Sequence, residues 1–197
     1  MIAHARESDV LPQAALFLDR DGVILENRLD YLRSWEAAAF IPGALQAIAR
    51  LRDLPLRIVI VTNQSAVGRG LVPADQVGAI NLRMVEAVEH AGGRVDAVYM
   101  CPHHPEAGCN CRKPRPGLIL QAAEELGLDL PRSTLVGDSL TDLQAGHAAG
   151  VGRLALVRTG LGASQLPQMA SAGLPEVELF DDLEQALGRL LPTSALP

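Results

Sequence analysis

The sequence predicts an α/β fold, a mostly parallel sheet with helices on both faces. Three observations point there. Short apolar runs alternate with amphipathic helical patterns along the chain. Aromatic residues make up only 3% of it, so the core must be filled by Leu, Val, Ile and Ala, the usual filling of β/α layers. Polar clusters follow directly after the apolar runs, at the sheet edge where ligands sit in such folds.

Ala14 to Leu18 is an apolar run that stops at the acidic cluster Asp19-Arg20-Asp21-Gly22, as a buried strand ending in a loop does. Pro42-Gly43 precedes a helical pattern from Ala44 to Leu54, and Arg57 to Val61 is the next strand. Pro73 opens a longer helix to about Ala91, Gly92-Gly93 closes it, and Val95 to Met100 follows as a strand. The spacing then predicts a helix over Gly117–Leu126, a strand over Leu135–Gly137, a helix over Leu140–Ala149 ended by Gly150, and a strand over Leu154–Val157. Glu178 to Leu191 supplies a last strand and helix.

With 197 residues and 48% hydrophobic content the chain can fill one core. A single domain over 13–191 is expected, with 1–12 and 192–197 as flexible tails. The formal charge of −6 opposes a nucleic-acid or anionic-membrane partner. No run approaches the roughly 18 apolar residues of a membrane span, and Met1 to Gln13 lacks the apolar core of a signal peptide. The expected address is the cytoplasm, and a monomer is the expected state.

Asp19 and Asp21, Thr62 and Asn63, the Cys101 cluster and Asp138 each fall just after an apolar strand, so the topology can bring them to one edge. Paired acids suit phosphoryl transfer. Anionic phosphate esters repel nucleophiles, so their cleavage needs a metal to neutralise oxygens, a nucleophile in line and an acid for the leaving oxygen. Asp19 and Asp21 supply a carboxylate nucleophile and an acid two residues apart, and a tight loop at Gly22 can turn the second toward the leaving group. Taken alone, D-x-D is also the signature of two solvated acids in a turn.

The context is more specific. Phe17-Leu18-Asp19-Arg20-Asp21-Gly22-Val23 resembles the first motif of haloacid dehalogenase-type phosphatases. Val59-Ile60-Val61-Thr62-Asn63 resembles the second, Lys113 in Arg112-Lys113-Pro114 the third, and Val136-Gly137-Asp138-Ser139-Leu140-Thr141-Asp142 the fourth, in that order. The resemblance implies a Rossmann-like sheet in which Asp19 attacks phosphorus to form an aspartyl-phosphate. Asp21 then protonates the leaving oxygen and later activates water. It also implies magnesium held by Asp19, the Asp21 carbonyl and Asp138, Thr62 donating to a phosphoryl oxygen, and Lys113 offsetting charge with Asp142 orienting it. No insertion of domain size separates the motifs, so no large cap domain is expected.

All three cysteines fall between positions 101 and 111, in the spacing C-x-H-x5-C-x-C set by Cys101, His103, Cys109 and Cys111. A Cys3His set with no open position is the pattern of a structural zinc site. His104 is an alternative to His103. The C-P-H arrangement resembles zinc-loop phosphatases in which the first histidine binds, which favours His103.

The zinc loop, Thr62-Asn63-Gln64-Ser65 with Arg69-Gly70, and Cys111-Arg112-Lys113-Pro114 with Pro116-Gly117 together most closely resemble heptose 1,7-bisphosphate phosphatases. Histidinol-phosphate phosphatases are the near neighbour. The resemblance implies substrate contacts from Thr62, Asn63, Gln64, Ser65, Arg112 and Lys113, with the Arg112 fork suited to a second phosphate. The segment from Leu25 to Phe40 departs from that pattern, with Tyr31 displaced by one residue. Trp35 reads as a packing residue. A phosphotransferase and a non-catalytic zinc-stabilised binding module are the competing functions. The presence of Asp19, Asp21, Thr62, Lys113 and Asp138 together speaks against the latter.

Overall fold

The computed structural model describes residues 12–191, so the tails expected at 1–12 and 192–197 lie outside the described residues but for Pro12. Six strands pair in parallel in the order β3-β2-β1-β4-β5-β6. They are β1 (Ala15–Leu18), β2 (Arg57–Asn63), β3 (Ala97–Cys101), β4 (Thr134–Gly137), β5 (Arg153–Val157) and β6 (Glu178–Phe180). The helices between them are α1 (Ala44–Ala49), α2 (Ser65–Gly68), α3 (Ala74–His90), α4 (Gly117–Leu126), α5 (Leu140–Ala149), α6 (Gly162–Met169) and α7 (Leu183–Leu190).

Alternation along each strand builds two cores, one per face. Leu16 and Leu18 of β1 join Ile58 and Ile60 of β2 beneath α1, α3 and α7, whereas Phe17, Val59 and Val61 face the layer of α4 and α5. Both faces of the sheet are therefore covered, as the sequence predicts. The strand order reverses at β1, and the carboxyl ends of β1, β2 and β4 meet there in a crevice. β2 passes almost directly into α2, whereas the segment leaving β1 runs to α1 as a long loop with one 3-10 turn (Trp35–Ala37), and no cap domain sits over that crevice among the described residues.

The helix expected over Ala44 to Leu54 ends at Ala49. Pro55 disfavours helical geometry at Leu54, and the backbone tightens into i→i+3 turns, with Leu51 donating to Ile48, Arg52 to Ala49 and Leu54 to Leu51. Arg94 collects the freed carbonyls of Arg52, Leu54 and Leu56. The strand expected to end at Met100 continues to Cys101, which pairs with Asn63. Two helices have no counterpart in the sequence reading. One is the single turn α2, and the other is α6, whose Pro167 reads as a breaker although Leu166 and Met169 pack on the core.

Candidate active site

The chain leaves β1 at Asp19 and reverses at once. Ile24 and Leu25 both donate their N–H to the Arg20 carbonyl at 2.9 Å, and Gly22 donates to Leu25 at 2.6 Å. Gly22 adopts φ +84, and a Cβ there would overlap the Asp138 carboxylate. The turn thus places the acids of β1 and β4 against each other. Thr159 and Leu161, after β5, complete the corner: Thr159 Oγ1 donates to the Gly22 carbonyl at 2.6 Å and Leu161 N to Asp138 Oδ2 at 2.8 Å.

Lys113 is buried in the middle of this corner. Its ammonium donates to Asp19 Oδ1 and to the Val61 carbonyl, each at 2.8 Å, and lies 2.5 Å from Asp142 Oδ1. Burial alone would lower its pKa, but Asp142 and Asp19 outweigh burial and hold it above the ordinary lysine range. Asp142 also caps α5, its Oδ2 accepting from Ser139 N at 3.0 Å and Ser139 Oγ at 2.7 Å. The acid therefore serves both the helix start and the lysine.

One cation is shared among three buried acids. Asp19, Asp138 and Asp142 each offer a carboxylate oxygen, all within 4.8 Å of one another. Burial pushes Asp19 up to about 7, opposed by Lys113 and reinforced by Asp142 and Asp21. Burial likewise pushes Asp138 up to about 8, reinforced by Asp19 and Asp142. Lys113, bonded to Asp19 and Asp142, cannot balance all three acids, and the Asp19 and Asp138 oxygens form a pair that a hard divalent cation fits.

Asp21 turns away from that pair. Arg20 grips its carboxylate with Nε and Nη2, and Gln64 Nε2 donates to Oδ2 at 2.8 Å and to Thr62 Oγ1 at 2.9 Å. Asn63 uses both ends of its amide on the Lys113 backbone, donating to the carbonyl and accepting from the N–H at 3.1 Å each. A cleft of about 380 Å³ gathers Asp19, Asp21, Asn63, Gln64, Arg112, Lys113, Asp138 and Asp142. Thr62 and Ser65 are buried and do not line it. Arg112 does, and its Nη1 is buried with no hydrogen-bond partner among the described residues.

Arg20, which grips Asp21, and Asn81, which accepts from Arg20 Nη1 at 2.8 Å, are site residues that the sequence reading misses. A signal for Asn81 exists. It is the polar member of the buried stripe Val77, Ile80, Asn81, Met84 and Val88 on α3.

The cysteine loop closes on itself beside the cleft. Cys101 Sγ lies 3.7 Å from Cys109 and 3.3 Å from Cys111, with 3.5 Å between the latter two. His103 Nδ1 lies 3.5 Å from Cys101 Sγ and 3.2 Å from Cys111 Sγ. Tetrahedral zinc with Zn–S near 2.3 Å calls for ligand separations of roughly 3.5–3.8 Å, so the donor set fits with a small expansion. His104 is turned elsewhere, accepting from Glu106 N at 3.2 Å to cap the 3-10 turn Pro105–Ala107.

The loop from Leu25 to Phe40 forms the outer wall. Tyr31 lines the cleft in the left-handed region at φ +65, and Trp35 packs edge-on against Phe40 at 6.0 Å.

Comparison with known proteins gives a consistent picture. A family described as HAD-hydrolase-like matches residues 110–186. A D-glycero-beta-D-manno-heptose-1,7-bisphosphate 7-phosphatase of Bordetella bronchiseptica is 42% identical over 177 residues, 89% of this chain and 97% of that protein. One of the same name from Pseudomonas aeruginosa is 39% identical, covering 92% and 99%. Among solved structures, the D,D-heptose 1,7-bisphosphate phosphatase of B. bronchiseptica, complexed with magnesium and phosphate, superposes with a TM-score of 0.84 at 42% identity, covering 90% of this chain and 98% of that one. The Burkholderia thailandensis D,D-heptose 1,7-bisphosphate phosphatase gives 0.69 at 38%, covering 91% and 99%.

Proposed function

From a chain that belongs to the heptose-bisphosphate phosphatases of the haloacid dehalogenase-like hydrolases, we propose a magnesium-dependent removal of the 7-phosphate from D-glycero-D-manno-heptose 1,7-bisphosphate. Asp19 is the nucleophile. Its oxygen forms a bond to phosphorus as the sugar–oxygen bond to phosphorus breaks, and Asp21 gives the leaving oxygen its proton. In the second half, water attacks the aspartyl-phosphate, its proton passes to Asp21, and Asp19 is released. Lys113 offsets charge on the transferred group while Asp142 holds Lys113 in place. Asp19, Asp138 and the Asp21 carbonyl would hold magnesium, which would supply neutralisation of the phosphoryl oxygens.

Gln64 ties the Asp21 carboxylate to the Thr62 hydroxyl, while Asn63 fixes the Lys113 backbone. Thr62, at the end of β2, and Ser65, at the start of α2, are the hydroxyl donors we assign to the phosphoryl group. Cys101, His103, Cys109 and Cys111 would hold a zinc ion, which would tie down the loop that leads into Arg112 and Lys113. Reduced thiols of this kind suit a cytoplasmic address. The catalytic unit is one domain over 13–191, acting as a monomer.

The observation that carries the substrate is Arg112. A guanidinium with a buried, unpartnered N–H lines the same cleft as the Asp19 centre, and such a donor calls for an acceptor. A second phosphate on the substrate meets that demand with paired bonds. Histidinol phosphate brings a cationic amine instead and leaves Arg112 unmatched. A phosphate-release assay with magnesium, on both anomers of the heptose bisphosphate, heptose 7-phosphate and histidinol phosphate, tests this. We expect kcat/KM to favour a bisphosphate by about 10-fold or more, with the margin narrowing in Arg112→Lys. Equal or better turnover of histidinol phosphate refutes the assignment.

A further inference from the structure

Arg20 is the largest side chain among the fully buried residues, and it lies inside the D-R-D turn. A guanidinium taken out of water must find acceptors for its N–H groups. Nε donates to Asp21 Oδ1 at 3.2 Å, and Nη2 donates to Asp21 Oδ1 and Oδ2 at 3.0 and 2.9 Å. Nη1 donates to Asn81 Oδ1 at 2.8 Å. Asn81 is itself buried on α3, and its amide nitrogen meets only the weak acceptor Met100 Sδ at 3.9 Å. Among the described residues, the acceptor end of Asn81 is thus the one hydrogen-bond anchor that ties the Arg20 side chain to an element outside the catalytic turn.

We propose that Asn81 is a positioning residue for the reaction, acting through Arg20 to fix the Asp21 carboxyl. This rests on the acid/base role assigned to Asp21 above. The chain of contacts runs from α3 through Asn81 and Arg20 to Asp21, and on through Gln64 to Thr62. Arg20 and Gln64 together occupy most of the acceptor capacity of Asp21. Where Arg20 sits therefore decides where the carboxyl sits. Both half-reactions depend on that placement, because one carboxyl gives a proton to the leaving oxygen and later takes one from water. Misplacement of a reacting group by about 1 Å costs on the order of 10²-fold in rate.

The test compares Asn81→Leu, which removes the acceptor, with Asn81→Asp, which keeps one. Each is assayed on a sugar phosphate and on 4-nitrophenyl phosphate, whose leaving oxygen departs without a proton. For Asn81→Leu we expect kcat/KM on the sugar ester to fall about 30-fold and on the aryl ester less than about 3-fold, with KM for the sugar ester nearly unchanged. Asn81→Asp should recover most of the loss. Equal losses on both esters, or no loss on either, overturn the proposal. Asn81→Ser, shorter and polar, takes the place of the Leu variant where the latter does not fold, and the same outcomes decide. Asp21→Asn runs in the same series. An indifference of that variant to the leaving group removes the acid role and this proposal with it, whereas a strong dependence there and none at Asn81 removes only the proposal.

Discussion

Asp138 is the acid whose charge is least matched: its Oδ2 accepts from Leu161 N, while the buried lysine goes to its neighbours Asp19 and Asp142. Residues packed on it are accordingly small. Gly22 and Gly160 both lie against its carboxylate, and a Cβ at either position would overlap it. Gly22→Ala adds a left-handed backbone penalty of about 1–2 kcal/mol to that overlap. The expected outcome is a loss of more than about 2 kcal/mol in denaturant unfolding and a weaker magnesium requirement curve, shifted to higher concentration. Wild-type magnesium affinity in a folded Gly22→Ala would separate this turn from the metal. Asp19→Asn acts differently. The amide keeps the volume and leaves Lys113 paired with Asp142, so the fold should survive while turnover falls by orders of magnitude, read by circular dichroism and phosphate release on one preparation. Retained turnover would remove Asp19 as nucleophile.

At the scale of elements, the strands were legible because burial on both faces leaves near-continuous apolar runs, as in Leu16 to Leu18 and Ile58 to Val61. The motif residues were legible because each follows such a run. Less visible was what holds them. Asn81 reads as one more residue of a long helix until its stripe partners are seen, and α2 and α6 carry too little periodicity, or a proline, to announce themselves. Asn63 lines the cleft, as a substrate contact should, and its amide also holds the Lys113 backbone, a tie that the sequence does not show. The loop–helix contact at Gly68 is likewise invisible in sequence. A Cβ there would run into the backbone of His103 and His104, so α2 and the cysteine loop are packed main chain to main chain. Gly68→Ala should displace that loop, lowering zinc retention and kcat/KM together without unfolding the sheet. Zinc content by elemental analysis beside kinetics decides, and an unchanged pair of values would uncouple α2 from the loop. Cys109→Ser provides the comparison in which zinc is lost directly.

For the whole molecule, the crevice at β1 and β4 concentrates buried negative charge where the two faces of the core meet, so metal binding should register in global stability. Without a cation, burial pushes Asp19 up to about 7, against the pull of Lys113 and with Asp142 and Asp21 adding to it, and pushes Asp138 up to about 8, with Asp19 and Asp142 adding to it. A ligand present at 100 times its dissociation constant stabilises by about 2.7 kcal/mol, and each kcal/mol moves the melting point of a domain this size by roughly 2–4 °C. Saturating magnesium should therefore raise Tm by about 5–10 °C. Asp138→Asn separates the two contributions. Burial holds the metal-free Asp138 protonated near neutral pH at a cost to the fold that asparagine does not incur, and the side-chain oxygen can still accept from Leu161 N, so near pH 7 the metal-free variant should melt at or above the metal-free wild type. It loses an oxygen ligand, so the magnesium-dependent gain should shrink to about 1–2 °C. Melting curves of both proteins with and without magnesium, zinc content held constant, give all four values. A full magnesium gain in Asp138→Asn would take Asp138 out of the metal site, and a metal-free variant well below the wild type would show that Asp138 serves the corner's packing more than its charge.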